Sequence, residues 1–376
     1  MRPAQLCRKT GVSMERGAEF EGSLLWLDRA LAALPSGNLR LGAQICAARS
    51  VSLFRFGRYE EGVAWGQRAL IMARRSRDRK QIAYSHNMLA NSYMERGDLR
   101  KAVRHLRQSV RIYHEIADFP GQASANNNLG MCYHLQGTLD AALYYYQVAL
   151  QTDQRVGDVS DAMIVRSNIG EVLMTLGRLP EAITDLDRVV AANQQRGGLT
   201  GVAGLAHVNL SRCYLTSGDL TAAAKHLRAG KRLLTAAGQA GLVAEADLQR
   251  SELLLAEGRA DLSAAAARAG LAQARALGAR LLEARGQRNL GEALAALGRA
   301  EDAGDLIMDS VAIARRIDAT HEEARSLVAL ARVSAIAGKG GPRVATYLKR
   351  AEKIFGRMGA RPETQEAHRL LSEVTA

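Results

Sequence analysis

The chain has 376 residues, of which 47% are apolar and 5% aromatic, and it carries a formal net charge of +13. Arg or Asp interrupts every apolar run and residues 1–20 lack an apolar core, so neither a transmembrane helix nor a secretory signal is predicted. The four cysteines have no pairing or metal-ligand spacing. This argues against a disulfide-stabilised fold or a metal site and favours a reducing, cytoplasmic setting.

A glycine returns at nearly constant intervals along the whole chain. The period is 40 residues, with one interval of 41, and the positions are Gly17, Gly57, Gly97, Gly137, Gly177, Gly218, Gly258, Gly298 and Gly338. Self-similarity at such a period indicates a repeat array. One repeat cannot bury its apolar face alone, so its neighbours must supply the core. The sequence therefore predicts a single solenoid with no second domain.

The residues around each glycine recur in fixed columns. A small residue stands seven positions before the glycine, a leucine or tyrosine usually stands four before it, and alanine usually stands five after it. Steps of three and four residues are the helical period, and glycine is a common helix stop. Each repeat is therefore predicted to be an antiparallel pair of helices.

The N-terminal end fits this pattern poorly. In residues 1–16, the columns that should be apolar or small hold Arg8, Lys9, Thr10 and Ser13. We expect this segment either to fray or to belong to an array that begins further upstream. The first repeat is accordingly predicted to be partial.

The rest of the chain is assigned to two segments. Residues 17–360 are predicted to form the solenoid, with about eight full repeats. Residues 361–376 are predicted to form a capping helix, because Pro362 suits a first helical turn and the charged residues that follow suit a solvated solenoid end.

The positive charge is concentrated in residues 1–120. Two features account for it, a run at 74–80 and a stripe on one predicted helix face. The residues of this basic patch are Arg74, Arg75, Arg77, Arg79, Lys80, Arg100, Arg104, Arg107 and Arg111. Such a patch suits nucleic acid, an acidic partner or anionic lipid. A solvated outer face is the simpler interpretation, because no aromatic residues or nucleic-acid-binding fold accompany the charge.

In one repeat the recurring residues are Leu129, Gly130, Tyr133, Ala142, Tyr146 and Ala149. This spacing resembles the tetratricopeptide repeat. The longer period and the Asn-Leu-Gly signature, at 128–130 and 289–291, are similar to a long-repeat subclass. That subclass includes kinesin light chains, spindle-orientation adaptors and bacterial regulators related to the maltose-regulon activator. The resemblance implies an all-α, right-handed superhelical solenoid whose first helices line a concave groove.

A column of amides is expected to face that groove. The chain has only ten asparagines, yet four of them and one glutamine occupy the position nine residues before the glycine: Asn128, Asn168, Asn209, Gln249 and Asn289. By resemblance, asparagines on this face hold the backbone of an extended peptide, which an amide can do because it both donates and accepts hydrogen bonds. The alternative is that each amide bonds a neighbouring helix and serves only packing.

Neighbouring columns extend the predicted peptide site. Amide-rich and mixed-charge positions on the same face add Asn87, Asn91, Asn127, Met131, Glu171, Arg212 and Arg285. A neutral row of amides suits capture of a main chain, and the mixed stretch suits a charged anchor.

No catalytic or cofactor-binding motif appears in the sequence. It has no phosphate-binding loop, no zinc-helix histidine pair and no nucleophile elbow. We therefore predict a non-catalytic scaffold that needs no cofactor and binds a protein or peptide partner. Two alternatives stay open: a sensory arm of a bacterial signalling or transcription regulator, and a basic solenoid associated with nucleic acid.

Overall fold

The computed structural model describes residues 3–16, 19–56, 58–198, 200–338 and 342–375. Every regular element in these ranges is an α-helix. The helices are α1 (Pro3–Arg16), α2 (Phe20–Ala32), α3 (Leu39–Arg55), α4 (Tyr59–Arg75), α5 (Arg79–Glu95), α6 (Leu99–Glu115), α7 (Phe119–Leu135), α8 (Leu139–Val156), α9 (Val159–Thr175), α10 (Leu179–Arg196), α11 (Thr200–Thr216), α12 (Leu220–Ala236), α13 (Ala240–Ala256), α14 (Ala260–Ala276), α15 (Arg280–Ala296), α16 (Ala300–Arg316), α17 (Thr320–Ile336), α18 (Pro342–Met358) and α19 (Arg361–Thr375).

The predicted all-α solenoid of antiparallel helix pairs is confirmed. The odd-numbered helices α1 to α17 are called first helices below, and the even-numbered helices α2 to α18 are called second helices. The recurring glycine lies in the turn from a first to a second helix. At Gly97, for example, φ is 81°, in the left-handed region that glycine adopts without a steric penalty. Gly17 and Gly57 lie outside the described residues.

The opposite turns, from a second helix to the next first helix, also use left-handed residues. Glycine fills some of these positions, but Arg77, Ala117 and Asp318 fill others with φ between 52° and 54°. Because these positions do not always hold glycine, the glycine period reveals only one of the two sets of turns.

The small and bulky columns pack against each other as dense interiors require. A Cβ added at Gly170 would lie 2.8 Å from Leu186 Cγ, and one added at Gly291 would lie 2.5 Å from Ile307 Cγ1. Both large residues are fully buried. The small column thus lets each second helix approach its first helix closely.

In the N-terminal repeat, both α1 and α2 are present. In α1, Ala4 is fully buried, and a Cβ at Gly11 would lie 2.9 Å from Leu27 Cγ on α2. The apolar contacts of α1 come from residues other than the four polar ones that broke the expected columns. Fraying of residues 1–16 in solution stays a prediction.

The chain divides into two compact units. The first comprises Met1–Cys132 with Val148–Gly157, and the second comprises Tyr133–Gln147 with Asp158–Ala376. Within the second unit, α18 and α19 also lie against turns of earlier repeats. A Cβ added at Gly177 would lie 2.7 Å from Pro362 Cγ, and one added at Gly137 would lie 2.6 Å from Met358 Cγ. The C-terminal helices therefore contact turns that are distant in sequence.

None of the helices in the described ranges is both long and apolar enough to cross a membrane.

Candidate binding site

The first unit contains a cavity of about 620 Å³ lined mainly by α1, α3 and α5. Two polar residues cap the N-termini of helices that line this cavity. Asn38 accepts a hydrogen bond from the backbone N–H of Leu41 at 3.2 Å and opens α3. Asp78 accepts one from the backbone N–H of Gln81 at 3.0 Å and opens α5. Local sequence thus sets the start of two first helices that line the cavity.

One part of the cavity wall is apolar. It includes Val12 from α1, Val51 and Phe54 from α3, and Tyr84 and Met88 from α5. Tyr84 is 37% exposed, which is high for a large apolar side chain. Such a wall gives a ligand apolar surface to bury on binding.

The charged part of the wall contains four cations and two carboxylates. The cations are Arg8, Arg40, Arg55 and Lys80, and the carboxylates are Glu15 and Asp78. Three of the cations make ion pairs, which are Arg55 with Glu15 at 2.8 Å, Arg40 with Asp78 at 2.7 Å and Lys80 with Asp118 at 2.5 Å. Arg8 has no carboxylate partner among the described residues. The wall therefore keeps an excess of positive charge.

The structure brings four predicted amides of the first unit together. The Nδ2 atom of Asn128 donates to Asn87 Oδ1 and to Asn91 Oδ1, each at 3.0 Å. Asn127 Nδ2 lies 3.5 Å from Asn128 Oδ1. Asn87 is buried and donates to Ser124 Oγ, whereas Asn91 is half-buried and lines the cavity. Asn91 is therefore the amide of this cluster that reaches the candidate site.

The second unit has its own cavity of about 480 Å³. It is lined by the first helices α9 to α17 and by α19. Its lining includes both positively and negatively charged residues: Arg212, Glu252, Arg288, Glu292, Arg325, Glu363 and Glu366. The predicted anchor residue Arg212 belongs to this cavity.

Most of those charges are paired with one another. Arg288, whose side chain is 2% exposed, binds Glu322 at 2.7 Å, Glu292 at 2.9 Å and Glu252 at 3.2 Å. Arg285 shares Glu252 at 3.1 Å. A buried charge is tolerated only with such compensation. Arg285, predicted to anchor a ligand, is 8% exposed and already holds carboxylates of its own protein.

The proton affinities follow from this pairing. Burial acts to raise the pKa of Glu252, but Arg285, Arg325 and Arg288 outweigh it and hold that pKa well below its ordinary value. Burial also opposes ionisation of Glu322, yet Arg288 and Arg325 lower its pKa. The pKa of Arg325 is lowered by burial and by Arg288. Both carboxylates are consequently ionised at neutral pH.

The remaining predicted peptide-site residues divide by burial. Met131, Asn168 and Glu171 are half-buried. Asn209 and Asn289 are only 1% and 2% exposed, so neither presents its amide to a groove in this structure. The Nδ2 atom of Asn289 donates to the backbone oxygen of Leu248 at 2.9 Å. This bond from α15 to α13 is of the kind that the packing alternative predicts, and a peptide-binding role for Asn289 stays a prediction.

Arg212 links several of the charged positions. It binds Glu245 at 2.8 Å and lies 3.4 Å from Glu171 Oε1. Burial acts to lower the pKa of Arg212, but Glu245 and Glu171 raise it above its ordinary value. This arginine is therefore held as a cation by its own protein.

The nine basic-patch residues are all exposed. They lie on α4, α5 and α6 and in the turn between α4 and α5. Arg79 and Arg111 both pair with Glu115, and of the nine only Lys80 lines the first unit's cavity. The patch and the cavity are thus largely separate surfaces.

Two histidine pairs occupy matching columns of different repeats. In the first unit, the Nδ1 atoms of His86 and His105 lie 2.8 Å apart, and His105 stacks on Tyr93. In the second unit, His207 and His226 are 3.0 Å apart at Nδ1. The recurrence was visible in the sequence, but the direct contact between the rings was not.

No group of three or more potential metal ligands occurs among the described residues. Cys46, Cys132 and Cys213 are buried and free, as small core residues.

Comparisons with known proteins identify the repeat. A model described as tetratricopeptide repeat matches residues 45–115, 81–155 and 161–236, and a second with the same description matches residues 284–307. No curated protein matches the sequence.

Several solved structures share the fold. The Rap conjugation gene regulator of the plasmid pLS20, in complex with the Phr* peptide, has a TM-score of 0.64 and 13% identity over 96% of this chain and 97% of that one. A Rap protein complexed with competence and sporulation factor has a TM-score of 0.60 and 12% identity over 89% and 99%. Aspartyl phosphate phosphatase F from Bacillus subtilis has a TM-score of 0.58 and 9% identity over 93% of each chain. At these identities the likeness is one of fold.

Proposed function

The chain belongs to the tetratricopeptide repeat family, and from this premise we propose that it is a non-catalytic scaffold that binds an extended peptide or partner segment on its first helices. The cavity of the first unit is the observation that carries the proposal. It combines apolar surface, an excess of positive charge and the amide of Asn91 on three first helices. A site of this kind offers both buried area and orientation to a peptide.

The amide cluster supports a peptide as the ligand. Asn91 Oδ1 accepts a hydrogen bond from Asn128, which fixes the orientation of its amide group. Its Nδ2 atom has no protein acceptor among the described residues and can donate to a carbonyl oxygen of a ligand. A side chain held in place before binding loses little entropy when the ligand arrives.

The solved structures support the same proposal. The pLS20 regulator was solved with a peptide and the other Rap protein with a named factor. The phosphatase shares the fold as well, so a helical-repeat architecture is compatible with catalysis. We base the non-catalytic assignment on the absence of recognisable catalytic motifs in this sequence.

Selection of peptides from a displayed random library against the full chain tests the proposal. We expect the selected peptides to bind the wild-type chain and to lose about tenfold in affinity, roughly 1.4 kcal/mol, in the double variant Asn91→Ala with Asn128→Ala. Fluorescence anisotropy measures the affinity, and circular dichroism checks that the variant remains helical.

The matched control replaces Gln151 and Gln154 with alanine. These exposed amides lie on the second helix α8, outside the cavity lining. Equal affinity of the wild-type chain and the Asn91/Asn128 variant for every selected peptide would refute the groove assignment.

A second candidate is a sensory arm of a regulator, which the extensive fold likeness to the pLS20 conjugation regulator favours. The regulator function requires more than peptide binding, because binding of the peptide must change the affinity of this chain for a second macromolecule. Isothermal titration of that second partner with and without the selected peptide separates the two candidates.

A further inference from the structure

Two residues that line the cavity of the first unit each carry a buried donor atom that lacks an acceptor. Arg8 Nε and Gln81 Nε2 have no hydrogen-bond partner among the described residues. Arg8 belongs to α1 and Gln81 to α5, so the donors come from two different walls of the cavity. A buried polar atom without a partner is unfavourable. A ligand that brings oxygen acceptors to these atoms would remove that cost.

The charge of the cavity favours an anion at the same place. The other three lining cations are already paired with carboxylates of the protein, whereas Arg8 is not paired within the described ranges. A ligand carboxylate would therefore meet a guanidinium whose charge is not already compensated. An arginine can also receive two carboxylate oxygens in one plane.

The apolar wall of the cavity adds a second requirement. Val12 lies on α1 one helical turn after Arg8, and Val51, Phe54 and Met88 complete an aliphatic and aromatic surface. A small inorganic anion would leave that surface in water. A ligand that carries an apolar group near its carboxylate would cover it.

We propose that this cavity binds a peptide segment in which an acidic side chain lies beside an apolar one, with the carboxylate received by Arg8 and Gln81. This inference rests on the proposed function, because it specifies the chemistry of the ligand. It also gives a reason for the polar residue that broke the expected core column in α1. Arg8 lines a binding wall instead of filling a core position.

A nucleic acid is the competing ligand, and the cavity suits it less. Phosphate recognition along a strand uses a row of cations. Here the lining cations other than Arg8 are held by carboxylates, and the nearby surface is largely apolar.

Two matched pools of fluorescent peptides test the inference on the full chain. In one pool glutamate alternates with leucine, valine or phenylalanine, and in the other lysine replaces glutamate. We expect the glutamate pool to bind and the lysine pool not to bind. Arg8→Gln should lower the affinity for the glutamate pool about tenfold, and Gln81→Met should lower it less. Arg8→Glu should reverse the preference between the pools.

Arg29→Gln is the matched control, because Arg29 is exposed on α2 beside the Trp26 ring and lies outside the cavity lining. It should leave both affinities unchanged. Circular dichroism confirms that each variant is folded, and the reversed preference of Arg8→Glu separates a change of ligand chemistry from a loss of structure.

Three results would overturn the inference. The first is failure of the glutamate pool to bind, and the second is equal affinity of the wild-type and Arg8→Gln chains for it. The third is an oligothymidylate that displaces the glutamate pool from the wild-type chain but does not bind Arg8→Gln. If peptides from the random library still depend on Asn91 and Asn128 in any of these cases, the proposed function stands without this refinement.

Discussion

The cavities of the two units are lined mainly by first helices, but one lining arginine in the first cavity and one in the second have opposite patterns of ion pairing. In the first unit, Arg8 has no carboxylate partner among the described residues. In the second unit, Arg288 is almost fully buried and binds three carboxylates. The first arrangement leaves binding capacity for a ligand, while the second consumes it within the protein.

This difference shows that position in the repeat does not by itself define a binding residue. Arg8 and Arg288 both line cavities built from first helices, yet their environments assign them different roles. A buried charge that is paired within the protein contributes to stability, because its removal would leave the partner charges buried without compensation. An uncompensated charge beside a cavity is a candidate for ligand binding.

Removal of each arginine should give the largest contrast. We expect Arg288→Ala to lower the free energy of unfolding by about 3–5 kcal/mol, because buried Glu322 would lose its main cation and buried Glu252 would lose one of its cations. Arg8→Ala should change it by less than about 0.5 kcal/mol, since it breaks no ion pair within the described residues. Urea unfolding followed by circular dichroism measures both.

Arg299→Ala is a useful reference, because Arg299 forms an exposed pair with Asp302 at 2.6 Å. Its loss should cost at most about 1 kcal/mol. If Arg288→Ala were no more destabilising than Arg299→Ala, the contrast between the two cavities would be wrong.

Acid should destabilise the protein through the histidine pairs. Burial, with smaller contributions from His105, Arg74 and Arg111, lowers the pKa of His86 to about 4. Burial and His226 likewise lower the pKa of His207 to about 4. The unfolded chain, with a histidine pKa near 6.5, therefore binds more protons than the folded chain between about pH 6.5 and 4. Stability is complete above that window and falls as the pH decreases through it.

Replacing both members of one pair tests this mechanism. In the wild-type chain the free energy of unfolding should fall between about pH 6.5 and 4. In the double variant His86→Gln with His105→Gln this fall should be smaller by roughly 2 kcal/mol, as measured by urea unfolding at each pH. His114→Gln, at an exposed position on the same helix as His105, should leave the profile unchanged. An unaltered profile in the double variant would assign the acid sensitivity to other groups.

The ion pairs of the second unit should add acid sensitivity at lower pH. The pKa values of Glu252 and Glu322 are depressed in the folded state, so their contribution is present above the unfolded glutamate pKa of about 4.5 and is lost as pH falls further. Hydrogen exchange at about pH 4 should therefore show faster opening at α13, α15 and α17 than at neutral pH. Unchanged exchange in these helices would contradict the role of the pairs.

The smallest contrast concerns two asparagines of the same column. Asn209 is buried and neither atom of its amide has a partner among the described residues, so Asn209→Leu should stabilise the protein by about 1 kcal/mol. Asn128→Leu should destabilise it by about 1–2 kcal/mol, because the hydrogen bonds to Asn87 and Asn91 are lost. Thermal unfolding measures both shifts, and shifts of the same sign would erase the distinction between the two repeats.

Much of the fold could be predicted because the residues that define each repeat lie close together in the sequence. The glycine period marked one set of turns, and the small column opposite bulky residues such as Leu186 and Ile307 specified the helix pairs. Helical periodicity and turn chemistry depend on residues close in sequence, so they survive without tertiary information. The second set of turns was missed because Arg77, Ala117 and Asp318 adopt a conformation more typical of glycine.

The sequence alone thus determined the helix pairs, their order and the face on which polar residues gather. Only the tertiary structure decided which of those polar residues bond to other parts of the protein and which face a cavity. Arg285 and Asn289 are held by neighbouring helices, whereas Asn91 and Arg8 reach a cavity. Contacts such as that between Gly177 and Pro362 also appear only in three dimensions. The physical reason is that burial and pairing depend on partners from other helices, whose distances a periodic pattern does not encode.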